Sequence, residues 1–151
     1  MEDIYLGNPN LKKANVQQEF TEEQILEFMK CAGDPVYFAK NYMKIVSLDE
    51  GLVQFKPYDF QEKLINNFHE NRFNICKMPR QTGKSTTSVS YLLHYCVFND
   101  SVNIGILANK AATARDLLGR LQTAYENLPK WMQQGIISWN KGSLELENGS
   151  K

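Results

Sequence analysis

The chain has 151 residues, 42% of them apolar and 23% charged, a composition that supplies one domain with a core and excludes bulk disorder. Its 17 basic and 17 acidic residues cancel to a formal net charge of +0. With no global positive field, histone-like binding of polyanions is excluded, and any nucleic-acid contact has to come from a local patch. Cys31, Cys76 and Cys96 form no Cys-x-x-Cys pair and suit a reducing compartment. The acidic start, Met1-Glu2-Asp3, lacks the layout of a signal peptide, and no apolar run reaches the ~18 residues of a membrane span. A soluble protein of a cytoplasm-like compartment is expected.

Residues 1–20 are polar, show no sustained period and read as a loose lead-in. Thr21-Glu22-Glu23-Gln24 has the form of a capping box, opening a helix that carries Ile25, Leu26, Phe28 and Met29 and ends near Gly33. Asp34-Pro35 caps a second helix with Val36, Phe38, Ala39, Tyr42 and Met43. After a turn at Asp49-Glu50-Gly51, residues 52–55 read as a short strand, and Pro57-Tyr58-Asp59-Phe60-Gln61 opens a third helix. Residues 73–76 are a short strand candidate, followed by a loop to Gly83 and a helix toward Phe98. Residues 102–108 look like a mostly buried strand, and a helix follows over about 111–126. Strand, helix, strand, helix implies an α/β fold with a parallel sheet. Past Pro129 a short helix is expected with Trp131 and Met132, then a β-hairpin turning at Asn140-Lys141-Gly142.

The chemistry concentrates in Pro79-Arg80-Gln81-Thr82-Gly83-Lys84-Ser85-Thr86. Backbone N–H groups of Gln81 to Thr86, leading into a helix N-terminus, form an anion cradle; Lys84 reaches the β- and γ-phosphates and Ser85 ligates Mg²⁺. A bare Gly-Lys-Ser/Thr arises by chance in roughly one chain in ten to fifteen of this length, and Met78 stands where the first glycine of the usual pattern would be. Two further signals therefore matter. Gln61, after Phe60, offers the acceptor and donors that match the N6 and N7 edge of adenine, with the aromatic ring beside the base. Arg80 places a guanidinium where it can meet a γ-phosphate. The plainer alternatives are a polar residue at a helix start and a surface ion pair.

Together the Arg80-Gln81-Thr82-Gly83-Lys84-Ser85 loop, Tyr58-Asp59-Phe60-Gln61 and Gly105-Ile106-Leu107-Ala108-Asn109-Lys110 resemble the large terminase subunit of tailed bacteriophages, especially T-even-like myoviruses. Asp34-Pro35-Val36-Tyr37-Phe38, Trp139-Asn140-Lys141-Gly142-Ser143 and Glu145-Leu146-Glu147-Asn148-Gly149-Ser150 extend the likeness from about Ala32 to the end. The resemblance implies the helicase- or terminase-like P-loop core of an ATP-driven motor that packages double-stranded DNA into a prohead. It implies partnership with a portal and a small terminase subunit, a ring when assembled, and work in the host cytoplasm. By the same likeness Lys84, Ser85 and Mg²⁺ hold ATP, Gln61 and Phe60 recognise adenine, Arg80 senses the γ-phosphate, and residues 109–113 couple nucleotide state to movement.

The family's Walker B strand, apolar residues ending in Asp and Glu, has no counterpart in the sequence. Residues 21–151 therefore read as the N-terminal part of such an ATPase domain, binding ATP with little or no hydrolysis. A fragment of a superfamily-two helicase, or a non-catalytic nucleotide- or partner-binding module from a split or truncated gene, are the other readings. His69 and His94 read as helix-surface and helix-packing residues, and Trp131 and Trp139 as core or hairpin anchors.

Overall fold

The computed structural model describes residues 3–47 and 49–151; Met1 and Glu2 of the lead-in, and Leu48, lie outside the described residues. In chain order the elements are β1 (Ile4–Tyr5), β2 (Asn8–Lys12), α1 (Glu22–Gly33), α2 (Pro35–Tyr42), β3 (Lys44–Ser47), β4 (Gly51–Gln54), α3 (Asp59–Glu70), α4 (Lys84–Phe98), α5 (Ala111–Glu126), β5 (Ile136–Trp139) and β6 (Leu144–Leu146).

Helix starts follow their caps. Thr21 Oγ1 accepts from the Gln24 N–H at 3.2 Å and Gln24 Oε1 accepts from the Thr21 N–H at 3.1 Å, closing the expected box on α1. One Asp34 oxygen accepts from the Val36 and Tyr37 N–H groups, both at 2.9 Å, and Pro35 occupies the first turn of α2, where a missing N–H costs nothing. These caps hold α1 and α2 against α4, whose Val89, Leu93, Cys96 and Val97 are buried with Phe38, Ile65, Leu121 and Tyr125 in one apolar core.

The lead-in is more ordered than its composition suggests. β1 and β2 pair as an antiparallel hairpin through a turn at Leu6 and Gly7, both at positive φ, and Leu11 is buried. A single apolar residue beside Asn-Pro-Asn leaves no period to read, yet Gln133 anchors the strand. Its Oε1 accepts from the Lys12 N–H at 3.1 Å, and its Nε2 approaches the carbonyls of Asn10, Tyr125 and Leu128 at 3.0, 3.3 and 3.0 Å.

The mixed α/β character holds, but the expected parallel sheet does not form: the described strands make three two-stranded antiparallel pairs, β1–β2, β3–β4 and β5–β6. Residues 73–76 make no backbone hydrogen bond among the described residues, and 102–108 make only the two that join Val102 and Ile104 to Lys151, so neither segment forms a strand. The stretch past Pro129 is a turn, with Met132 and Gln133 N–H groups bonded to the Pro129 carbonyl, rather than the expected short helix. The C-terminal hairpin is as expected: Asn140 Oδ1 accepts from the Gly142 and Ser143 N–H groups, each at 2.9 Å, and so fixes the turn between β5 and β6. No helix among the described residues is long and apolar enough to cross a membrane.

Candidate phosphate loop and its surroundings

Residues 79–83 curl into a compact loop before α4. Gln81 (φ 63°) and Gly83 (φ 73°) take the left-handed conformation, and Thr82 Oγ1 donates to the Pro79 carbonyl at 3.0 Å. The Lys84 ammonium folds back into the curl, 2.7 Å from each of the Met78 and Pro79 carbonyl oxygens. Gly83 is the N-cap of α4 and offers no side chain to it; the first helical bond runs from the Thr87 N–H to the Gly83 carbonyl at 2.9 Å. The N–H groups of Lys84, Ser85 and Thr86 thus have no helical acceptor and stand at the positive end of a 15-residue helix. Ser85 and Arg80 are exposed, and neither takes part in a side-chain hydrogen bond or ion pair among the described residues.

Gln61 reaches the loop, but in a different role from the one its type suggests. It is only 4% exposed. Its Oε1 accepts from the Tyr58 N–H at 2.9 Å, capping α3, and its Nε2 donates to the Thr82 carbonyl at 3.1 Å. These two bonds use one lone pair of Oε1 and one N–H of Nε2, and one of each remains. The contact also fixes residue 83 as glycine: a Cβ there would overlap Gln61 Nε2, on a backbone already at positive φ.

A cleft of about 550 Å³ opens beside this junction, lined by Ile45, Val53, Phe55, Tyr58, Gln61 and Gly83 among others, and reaching Thr86. Phe60 is outside that lining; its ring stacks on Tyr58 with centroids 5.8 Å apart and planes 9° apart, and both rings are largely exposed. The sequence pointed to Phe60 and Gln61 but missed the contribution of β3, whose pairing with β4 from Lys44↔Gln54 to Ser47↔Gly51 builds the opposite wall. The available signal was Asp49-Glu50-Gly51, with Gly51 at φ 74° in the turn. Residues 109 and 110 form a bend leading into α5, with the Thr113 N–H bonded to the Lys110 carbonyl.

Other chemistry-bearing groups are spoken for. Glu147 Oε2 accepts from the Asn15 N–H at 2.9 Å, and Glu147 lies 3.8 Å from Lys12 Nζ. His94 is buried, with Nε2 2.9 Å from the Cys31 carbonyl; that acceptor assigns the proton to Nε2. Burial pushes the His94 pKa down to about 4, outweighing the hydrogen bond that favours the charged form. Burial likewise pushes the Cys31 and Cys96 thiols up to about 12, so both are inert packing residues. No group of three or more His, Cys, Asp or Glu side chains could hold a metal ion among the described residues.

The donor set of the loop nevertheless fits a triphosphate with Mg²⁺. Uncapped helix N–H groups and the Lys84 ammonium suit phosphate oxygens, and the exposed Ser85 hydroxyl suits a hard cation. No family model matches the chain.

Proposed function

We propose that residues 79–86 bind the phosphates of ATP with Mg²⁺, and that the chain is the ATP-binding portion of a terminase-like DNA-packaging motor. One observation carries the reading: the Lys84 ammonium sits inside a curled loop at the uncapped start of α4, held there only by two loop carbonyls. Those carbonyls are placeholders that phosphate oxygens replace, since a charge-assisted bond to an anion is stronger than one to a neutral carbonyl. Gln81, Thr82 and Gly83 shape the loop, Ser85 holds Mg²⁺, Thr86 borders the cleft and Arg80 meets the γ-phosphate. Tyr58 and Phe60 offer flat surface for the base, while Gln61 braces the loop and has one N–H to give. Bound Mg²⁺ neutralises phosphate charge. Double-stranded DNA, a portal and a small subunit are partners of the assembled motor in the host cytoplasm, following the resemblance in sequence.

The chain on its own binds ATP and turns it over little or not at all. Titration with a fluorescent ATP analogue, run beside a phosphate-release assay, tests both parts. Lys84→Ala is expected to weaken binding about 100-fold, roughly the loss of two charge-assisted bonds. Robust steady-state turnover abolished by that variant would overturn the second part, and undiminished binding would overturn the first.

A further inference from the structure

We propose that the exposed face of α1 is a self-complementary contact on which a second copy of the chain docks, with the two α1 helices antiparallel. The inference does not depend on nucleotide binding at the loop.

The inner face of α1 fixes how the helix is turned about its own axis. Cys31 is fully buried, the Phe28 ring meets Phe98 edge-on with centroids 4.8 Å apart, and the Glu27 carboxylate accepts from the Tyr37 and Tyr42 hydroxyls at 2.8 and 2.9 Å. At about 100° per residue, the opposite side presents Glu22, Leu26, Met29 and Gly33 within an arc of about 60°. Leu26 is 68% exposed and Met29 65%; Ile25, on one flank, is 47% exposed. A Cβ placed on Gly33 would meet nothing within 4 Å, so this end of the face is open as well. Met29 follows Ile25 by four residues and Leu26 by three, so the three side chains form one apolar stripe rather than scattered surface residues.

Charge identifies what covers the stripe. On the other flank stand Glu23 in the first turn of α1 and Lys30 in the last, about 20° apart around the helix, both exposed and in no ion pair among the described residues. Lys30 Nζ lies 3.9 Å from the centroid of the Tyr37 ring, which holds the ammonium at the surface. Asp34, farther along that flank, already accepts from the Val36 and Tyr37 N–H groups. A two-fold axis across the middle of α1 brings the same flank of both copies together in reversed direction. Glu23 of each copy then meets Lys30 of the other, and Leu26 of each packs on Met29 of the other. Glu22 falls opposite Gly33, where no side chain stands against it. A parallel pair would instead set Glu23 against Glu23 and Lys30 against Lys30. A flank whose charges cancel gives little to a partner of one sign, and two copies of net charge +0 do not repel each other.

A helix of 12 residues is about 18 Å long, which puts the contact at the small end of protein interfaces. The dimer is accordingly weak, with a dissociation constant on the order of 100 μM. Because the same patch is used twice, the contact closes at two copies and differs from the head-to-tail contacts that build a ring.

The test is sedimentation equilibrium of the chain without nucleotide, from about 10 μM to about 1 mM. A monomer–dimer equilibrium is expected, and Leu26→Asp, at an exposed site, should leave only monomer with circular dichroism unchanged. Glu23→Lys and Lys30→Glu should each weaken self-association at least about tenfold, by a margin that shrinks with salt. An equimolar mixture of those two variants restores both cross-pairs and should dimerise again, as should the double variant Glu23→Lys/Lys30→Glu. Monomer at every concentration, a dimer indifferent to Leu26→Asp, or charge variants that neither the mixture nor the double exchange rescues would overturn the proposal. A chain that stays monomeric but binds neutral phosphatidylcholine vesicles through Leu26 overturns it in favour of a membrane surface. Failure of ATP to bind bears on the loop alone.

Discussion

The phosphate loop opens α4 and the terminal hairpins gather at its other end, where Gln134 and Asn148 bond to the carbonyls of Val97, Cys96 and Asn99, and the two ends are finished in opposite ways. Around the hairpins, polar side chains tie distant segments together: Gln133 serves four backbone groups, Ser150 Oγ donates to the Asn99 carbonyl at 2.7 Å, and Glu147 ties the end of β6 to Asn15. Around the loop, helix N–H groups stand uncapped, a lysine is held only by carbonyls of its own loop, and large apolar side chains face water. The hairpin side is therefore closed by internal partners, while the loop side keeps donors and apolar surface open.

Substitutions separate the two. Gln133→Leu removes the partner of the Lys12 N–H and of the Asn10 and Leu128 carbonyls, while the Tyr125 carbonyl keeps the Leu128 N–H, and is expected to cost about 3 kcal/mol in urea unfolding while ATP affinity of the folded fraction stays unchanged. A loss below about 1 kcal/mol would mean that water replaces those bonds easily. His94 gives a pH handle on the same core. Its folded pKa of about 4 lies below the ordinary 6.5, so the folded state resists protonation. Its contribution is complete above pH 6.5 and is lost as pH falls toward 4, by about 3 kcal/mol. His94→Leu should flatten that acid limb of the stability curve. Gly83→Ala crosses the divide, because its Cβ meets Gln61 and the backbone is left-handed. It should cost about 2 kcal/mol in stability and also weaken nucleotide binding, with part of both recovered in Gly83→Ala/Gln61→Ala. Thr21→Ala, far from the loop, should cost only about 1 kcal/mol through the lost cap and leave binding untouched.

Legibility in the sequence divides along similar lines. Helices declared themselves through local chemistry: Thr21 with Gln24, Asp34 with Pro35, and Asn140 at the hairpin turn act within three residues of their partners. The loop was readable because glycine, lysine and serine adjoin. What depended on distant partners was not. Gln133 binds Lys12 across 121 residues, which hid the ordering of the lead-in, and Gln61 spends its amide on Tyr58 and Thr82 rather than leaving it open. Residues 73–76 and 102–108 carry strand-like side chains, but a strand exists only with a neighbour, and pairing is not a local property.

The most direct test of the phosphate loop is calorimetric titration of the chain with ATP, ADP and AMP in the presence of Mg²⁺, repeated with Lys84→Ala. The account predicts affinity that rises with phosphate number, with AMP binding about 100-fold or more weaker than ATP, and loss of that dependence in the variant. Equal affinity for the three nucleotides, or a series unchanged by Lys84→Ala, would contradict it.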